Sequence, residues 1–203
     1  SMLAYKEKVL KKRLAYSTVS QVSYVLFGLA LMTPAGLVAG LLHMVFHSVI
    51  KNGLFLFAGM VIHETGEERV EELKGLGRQM PITFWCFTIA SLALVGIPPT
   101  SGFVSKWYLA TEALKAPVGA FSYVGPAILL VSALLTAGYL LSITADGFFP
   151  GRSFVEQEPK AKELFWSMLI PMLVFAVASV VLGMCSEPLV TWVTEAVTKL
   201  LGY

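Results

Sequence analysis

Four stretches of this sequence contain no Asp, Glu, Lys or Arg: Leu14 to Ile50, Gln79 to Ser105, Ala116 to Ala145 and Leu164 to Ser186. A helix needs about 20 apolar residues to cross the hydrocarbon core of a bilayer, and each stretch is long enough. The first is long enough for two crossings, with Thr33, Pro34 and Gly36 marking the turn between them. Composition agrees, with 56% hydrophobic and only 14% charged residues where a soluble domain carries nearer a quarter charged. The expected fold class is all-α: a polytopic membrane protein with five transmembrane helices, the third discontinuous. The predicted helices lie near 12–32, 35–63, 81–115, 120–146 and 163–186, in a single transmembrane domain over 1–203, followed by a short amphipathic tail to Tyr203.

The net charge of +2 is too small to point to nucleic acid. Cys86 and Cys185 fall in apolar segments without metal-ligand spacing, so neither a disulfide framework nor a zinc site is supported. The chain opens on Lys6, Lys8, Lys11, Lys12 and Arg13 with no cleavable apolar region before them, so it does not read as carrying a signal peptide. Five crossings put those residues on one side together with Arg69, Lys74 and Arg78 of the 64–80 loop and Arg152, Lys160 and Lys162 of the 147–162 loop. The other side holds only Lys115 and Lys199, so the positive-inside rule makes the two loops cytoplasmic and the C terminus external. The acidic cluster Glu64, Glu67, Glu68, Glu71 and Glu72 then reads as a solvated loop surface.

Of the 15 Lys and Arg residues, Lys51 and Lys106 remain, both inside apolar spans. A charge there costs about 2.5 to 3.5 kcal/mol on insertion scales and faces a bundle interior or wet cavity, so these lysines mark where function should be sought. On the second helix His43, His47 and Lys51 are spaced i, i+4, i+8, which puts them on one face within about 80° and along about 12 Å of rise. One intramembrane His is more simply a packing hydrogen-bond donor. A row of three titratable groups favours a proton relay. A metal at His43 and His47 is disfavoured, because no acid or thiol shares their face.

The third helix is broken by Gly96, Pro98, Pro99, Thr100, Ser101 and Gly102, with two backbone donors removed at the prolines. Broken helices are tolerated at membrane depth where the freed backbone lines a cavity. Lys106 lies about one turn beyond the break. The competing reading, an ordinary turn between two short helices, is weakened because neither half is long enough to span alone. The first helix carries a hydroxyl-rich band, Tyr16, Ser17, Thr18, Ser20, Gln21, Ser23 and Tyr24, which suits a water file or interhelix hydrogen bonds equally. Gly36 and Gly40 read as a close-packing pair.

The segments KKRLAYSTVSQVSY from Lys11, HMVFHSVIKNGLFLFAG from His43 and GIPPTSGFVSKW from Gly96, in that order, resemble the antiporter-like subunits of respiratory complex I, membrane-bound hydrogenases and Mrp cation/proton antiporters. Such subunits have fourteen helices built as two inverted five-helix repeats with flanking helices, and this chain resembles helices ten to fourteen, the second repeat. The resemblance implies that His43, His47 and Lys51 are the central proton relay and Lys106 the exit lysine at the break formed by Pro98, Pro99 and Gly102. Lys11 takes the basic position opening helix ten and, with Ser17 and Thr18, gives a candidate cytoplasmic-side pathway. Where relatives often carry an acid two places before that lysine, this chain has Val9.

The family's first repeat, with its glutamate and lysine pair for proton entry, has no counterpart here. The chain therefore reads as the C-terminal half of the family module, a fragment or split product. Residues 1–5 read like the end of a preceding helix. No residue reads as a catalytic group, and haem, iron-sulfur and dinucleotide patterns do not occur. Iron-sulfur, flavin or quinone sites are expected only in partner subunits. The implied function is proton translocation within a complex I-like (NADH-quinone oxidoreductase) or hydrogenase-like redox pump of a prokaryotic inner membrane. Its partners would be redox subunits and homologous antiporter-like subunits. A Mrp-type Na⁺/H⁺ antiporter is the alternative.

Overall fold

The computed structural model describes residues 1–116, 119, 121–151 and 166–202 of the chain. A short helix α1 (Met2–Lys6) leads into α2 (Leu10–Ala30) and α3 (Pro34–Thr65). Then come a 3₁₀ turn at Val70–Leu73 and one turn of helix, α4 (Leu76–Gln79). Two 15-residue helices, α5 (Pro81–Val95) and α6 (Ser101–Lys115), precede α7 (Phe121–Phe148), α8 (Trp166–Met184) and α9 (Glu187–Leu201). The all-α reading holds among the described residues. By length and composition α3, α7 and α8 are each able to cross a membrane, while α5 is apolar but shorter.

The turn between α2 and α3 forms as its residue types require. Thr33 caps α3, accepting the Gly36 N–H on its hydroxyl at 3.0 Å, and Pro34 opens the helix where its missing N–H costs nothing. Gly28, Gly36 and Gly40 then bring the two helices together: a Cβ on Gly28 would lie 2.8 Å from the Gly36 carbonyl oxygen and 2.9 Å from Gly40 Cα. The expected packing role of Gly36 and Gly40 holds, with Gly28 supplying the opposing surface.

The centre of the molecule is α3, against which α2, α5, α6, α8 and α9 all pack. Near its C-terminal end Phe57 stacks on Phe87 with ring centroids 4.1 Å apart and meets Phe84 edge-on at 5.1 Å. Outward faces of α7 and α8 remain apolar and exposed, for example Ile128, Val131, Leu134, Val174, Val177 and Val181, as lipid-facing surfaces should be.

The expected discontinuity of the third helix is seen, with α5 and α6 separated at Gly96 to Thr100. Two expectations change in detail. The last predicted crossing, 163–186, is seen as Trp166–Met184, its residues 163–165 lying outside the described residues. The amphipathic tail is no appendage, because α9 lays Val193 and Val197 against Val38, Leu42 and Phe46 of α3. With α8 passing Gly59 at Met168 and Gly53 at Phe175, α8 and α9 follow α3 antiparallel along its length, bending where Pro188 cannot continue the hydrogen-bond ladder.

At one end the 64–80 loop ties three elements together. Leu10 N–H donates to the Glu68 carbonyl and Val70 N–H to the Lys8 carbonyl, each at 2.9 Å, and Gly75 N–H reaches the Asp146 carbonyl at 3.1 Å. The N-terminal basic residues, this loop and the end of α7 therefore share one side of the bundle. Of the other basic loop, Arg152, Lys160 and Lys162 lie outside the described residues.

Candidate functional site: a buried polar line beside a broken helix

His43, His47 and Lys51 point from one face of α3 into the bundle, at 2%, 8% and 5% exposure. The imidazole rings of His43 and His47 are nearly parallel, with centroids 6.2 Å apart, too far for a direct hydrogen bond and close enough for one bridging water. At one end the Lys51 ammonium donates to the Leu14 carbonyl of α2 at 2.7 Å and to the Ser17 hydroxyl. At the other, His43 Nδ1 and the Ser105 hydroxyl of α6 are hydrogen-bonded at 2.9 Å. Ser105 in turn donates to the Gly102 carbonyl at 3.3 Å.

Lys106, next to Ser105, sits at the break. Its ammonium donates to the carbonyls of Leu94 and Val95 at 2.6 and 2.9 Å. These belong to the last turn of α5, where carbonyls lose their helical partners and the helix dipole is negative. The break supplies the acceptors, and the second turn of α6 aims the cation at them. Gly96 makes room: it adopts φ +92°, and a Cβ there would lie 2.9 Å from Lys106 Cδ. Gly102 lets α6 approach the Ala93 carbonyl, and Gly183 of α8 lies directly against the backbone of Pro99 to Ser101. Thr100 and Ser101 are buried while Pro98 and Pro99 are exposed.

The structure thus places His43, His47 and Lys51 in one buried polar line between Ser17 of α2 and Ser105 of α6, with Lys106, the residue after Ser105, on the carbonyls of the break. The candidate cytoplasmic-side residues divide. Ser17 meets Lys51, Thr18 instead donates to the Leu14 carbonyl at 3.1 Å, and the Lys11 side chain is exposed. Arg13, grouped above with the basic surface, turns inward and donates to the carbonyls of Glu7 at 2.8 Å and Tyr139 at 3.1 Å. Val9 leaves no acid at its position, but the Glu7 carboxylate accepts the N–H groups of Lys8 and Val9 at 2.9 and 3.0 Å at the start of α2. Those hydrogen bonds, Val9 N–H first, hold the Glu7 carboxyl below its usual range.

Two contributors were not separable from their neighbours in the sequence. Gln21 and Tyr24 share with Ser17 the buried face of α2, whereas Tyr16 and Ser23 of the same hydroxyl-rich band face outward. The 3.6-residue period from the lysine-contacting Ser17 could have picked them out. Gln21 is fully buried and its amide makes no hydrogen bond among the described residues, as is also true of Nε2 of His43 and of His47. Buried polar atoms of this kind are served by water, the medium a proton path needs. Among the described residues, no group of three His, Cys, Asp or Glu side chains is placed to hold a metal ion.

The described residues thus form an α-helical membrane-type bundle with a break between two helices and a lysine on the free carbonyls of that break. Residues 1–136 match the family described as NADH:quinone oxidoreductase/Mrp antiporter, TM, and the chain belongs to that family. It is 40% identical, over 96% of its length and 40% of the relative's, to NADH-quinone oxidoreductase subunit N of Desulforudis audaxviator (strain MP104C). It is similar to a chain of the Mrp complex from Dietzia sp. DQ12-45-1b, with TM-score 0.84 and 26% identity over 97% of this chain and 44% of that one. It is also similar to a chain of respiratory complex I from Thermus thermophilus with bound NADH, with TM-score 0.82 and 27% identity over 99% of this chain and 42% of that one. The chain spans about two fifths of the length of these three proteins.

Proposed function

We propose that this chain moves protons through the membrane as part of a redox-driven complex of the complex I or membrane-bound hydrogenase kind. The observation that carries the reading is Lys106, an ammonium inside an apolar span whose acceptors are the carbonyls of a helix end. A proton would enter at Lys51 beside Ser17, pass His47 and His43 through bridging water, and reach Lys106 by way of Ser105. Each residue on this line can hold or hand on a proton, and none performs redox chemistry. Iron-sulfur, flavin and quinone sites accordingly belong to partner subunits, redox and antiporter-like.

In this reading α2, α3, the α5–α6 pair, α7 and the α8–α9 pair make five crossings of a prokaryotic inner membrane, as one transmembrane domain. The side with the N-terminal basic residues and the 64–80 loop is cytoplasmic, and Tyr203 is external. Exchange of Na⁺ for H⁺ is the second reading, favoured by the likeness to the Mrp complex. Neighbouring subunits identified by mass spectrometry separate the two: iron-sulfur or quinone-site subunits support the first and small Mrp subunits the second.

Lys106→Met tests the assignment, since it preserves length and removes the titratable amine. The assembled, reconstituted complex is expected to lose proton pumping by about tenfold or more, as for loss of a required proton carrier. Pumping at the unmodified stoichiometry would refute it.

A further inference from the structure

Tyr24 is 3% exposed on α2, and its ring lies against both ends of the last proton step. The Lys106 ammonium sits over the ring face, 5.2 Å from its centroid. The His43 imidazole packs against the same ring with centroids 5.2 Å apart at a tilt of 53°. The phenol hydroxyl donates to the Leu129 carbonyl of α7 at 3.3 Å, which fixes the ring. One aromatic side chain of α2 therefore touches a group on α3, a group on α6 and the backbone of α7.

An aromatic face attracts an ammonium through its quadrupole and has no such attraction for a neutral amine. The carbonyls of Leu94 and Val95 discriminate in the same sense, because they form stronger hydrogen bonds with a charged donor. We infer that Tyr24 is a positioning residue that, with these two carbonyls, holds the Lys106 side chain at the break while it carries a proton and frees it once the proton is gone. The inference rests on the proton-carrying role proposed for Lys106. The ring makes the position of the amine depend on its charge. The hydroxyl serves only to anchor the ring on α7.

The ring and the hydroxyl are separated by substitution in the intact complex, with assembly and electron transfer scored beside pumping. Tyr24→Phe keeps the face and is expected to stay within about twofold of the unmodified complex. Tyr24→Leu and Tyr24→Met fill the site without an aromatic face and are expected to lower protons moved per electron by about fivefold or more at normal assembly, with either variant sufficient if the other fails to assemble. On a Lys106→Met background the loss of the ring should add nothing. Unimpaired pumping in an assembled Leu or Met variant, or equal losses in Tyr24→Phe and Tyr24→Leu, would overturn the inference. If Lys106→Met itself pumped normally, the proposed function would fall first. If Lys106→Met stopped pumping and Tyr24→Leu did not, only the role of Tyr24 would.

Discussion

The two lysines within the apolar spans, Lys51 buried and Lys106 half-buried, are held in different ways. Lys51 takes its acceptors from a continuous helix, where the Leu14 carbonyl also receives the hydroxyls of Ser17 and Thr18 at 3.1 Å each. Lys106 takes its acceptors from a helix that stops, and its ammonium fills places the backbone has vacated. A crowded carbonyl in mid-helix can exchange one donor for another with little change in the helix. A helix end has no substitute cation, so removing the amine leaves two carbonyls and the dipole uncompensated. The Lys51 end is therefore expected to tolerate small perturbation and the Lys106 end is not.

Packing at the break gives the largest expected effect. Gly183 meets the backbone of Pro99 to Ser101, so Gly183→Val should displace the break at a cost above the usual 1 to 3 kcal/mol of overpacking and be seen as lost assembly on native gels. On α3, which faces the same helix α8, Gly59→Ala should assemble normally, since among the described residues its new Cβ would meet Met168 Cε alone, at 3.4 Å. Similar outcomes for both would mean that the break is no more rigid than the continuous span.

Gly96→Ala is next in size. It places a Cβ in the left-handed region and against the stem of Lys106, at a cost of about 1 kcal/mol in the backbone alone. Pumping measured against assembly should fall more than stability does, because the amine is moved off its carbonyls. At the exposed end the effect is small. The Lys8 ammonium lies 3.0 Å from the Glu71 carboxylate and, by hydrogen bond and then charge, holds that carboxyl below its usual range. A lowered carboxyl favours the folded state above the unfolded-state pKa and loses that contribution as pH falls through the folded one. Lys8→Ala should thus lower the melting temperature slightly at neutral pH, with the difference vanishing in acid and in high salt. A difference that persisted in acid would assign the effect to something other than this pair.

How much of this was readable from the sequence depended on what each signal is made of. Lys51, Lys106 and the two histidines stood out because charged and titratable groups are rare in apolar spans. Gly96, Pro98 and Pro99 announced the break because Gly and Pro act on the backbone locally. The acceptors of Lys106 were not readable, since they are main-chain carbonyls of Leu94 and Val95, residues with no polar side chain. The roles of Gln21 and Tyr24 within the hydroxyl-rich band needed the rotation of α2 about its axis, which the tertiary packing sets. The packing of α9 along α3 was hidden by Glu187, Glu195 and Lys199, which made an integral helix resemble a surface tail. Gly183 had no local signal at all, because its constraint is the backbone of a different helix.

The account's central claim is that the ends marked by Lys51 and Lys106 belong to one line in series. Ser17→Ala and Ser105→Ala weaken the two ends without removing a titratable group, and each is expected to slow pumping about threefold in the assembled complex, the loss of roughly one hydrogen bond. The double variant decides the matter. In a series path the delays add, so two substitutions that each slow transfer about threefold predict a double variant about fivefold slower. A loss near the product of the two, about ninefold, would mean that both substitutions raise the barrier of one shared step and would contradict two successive ends of a line.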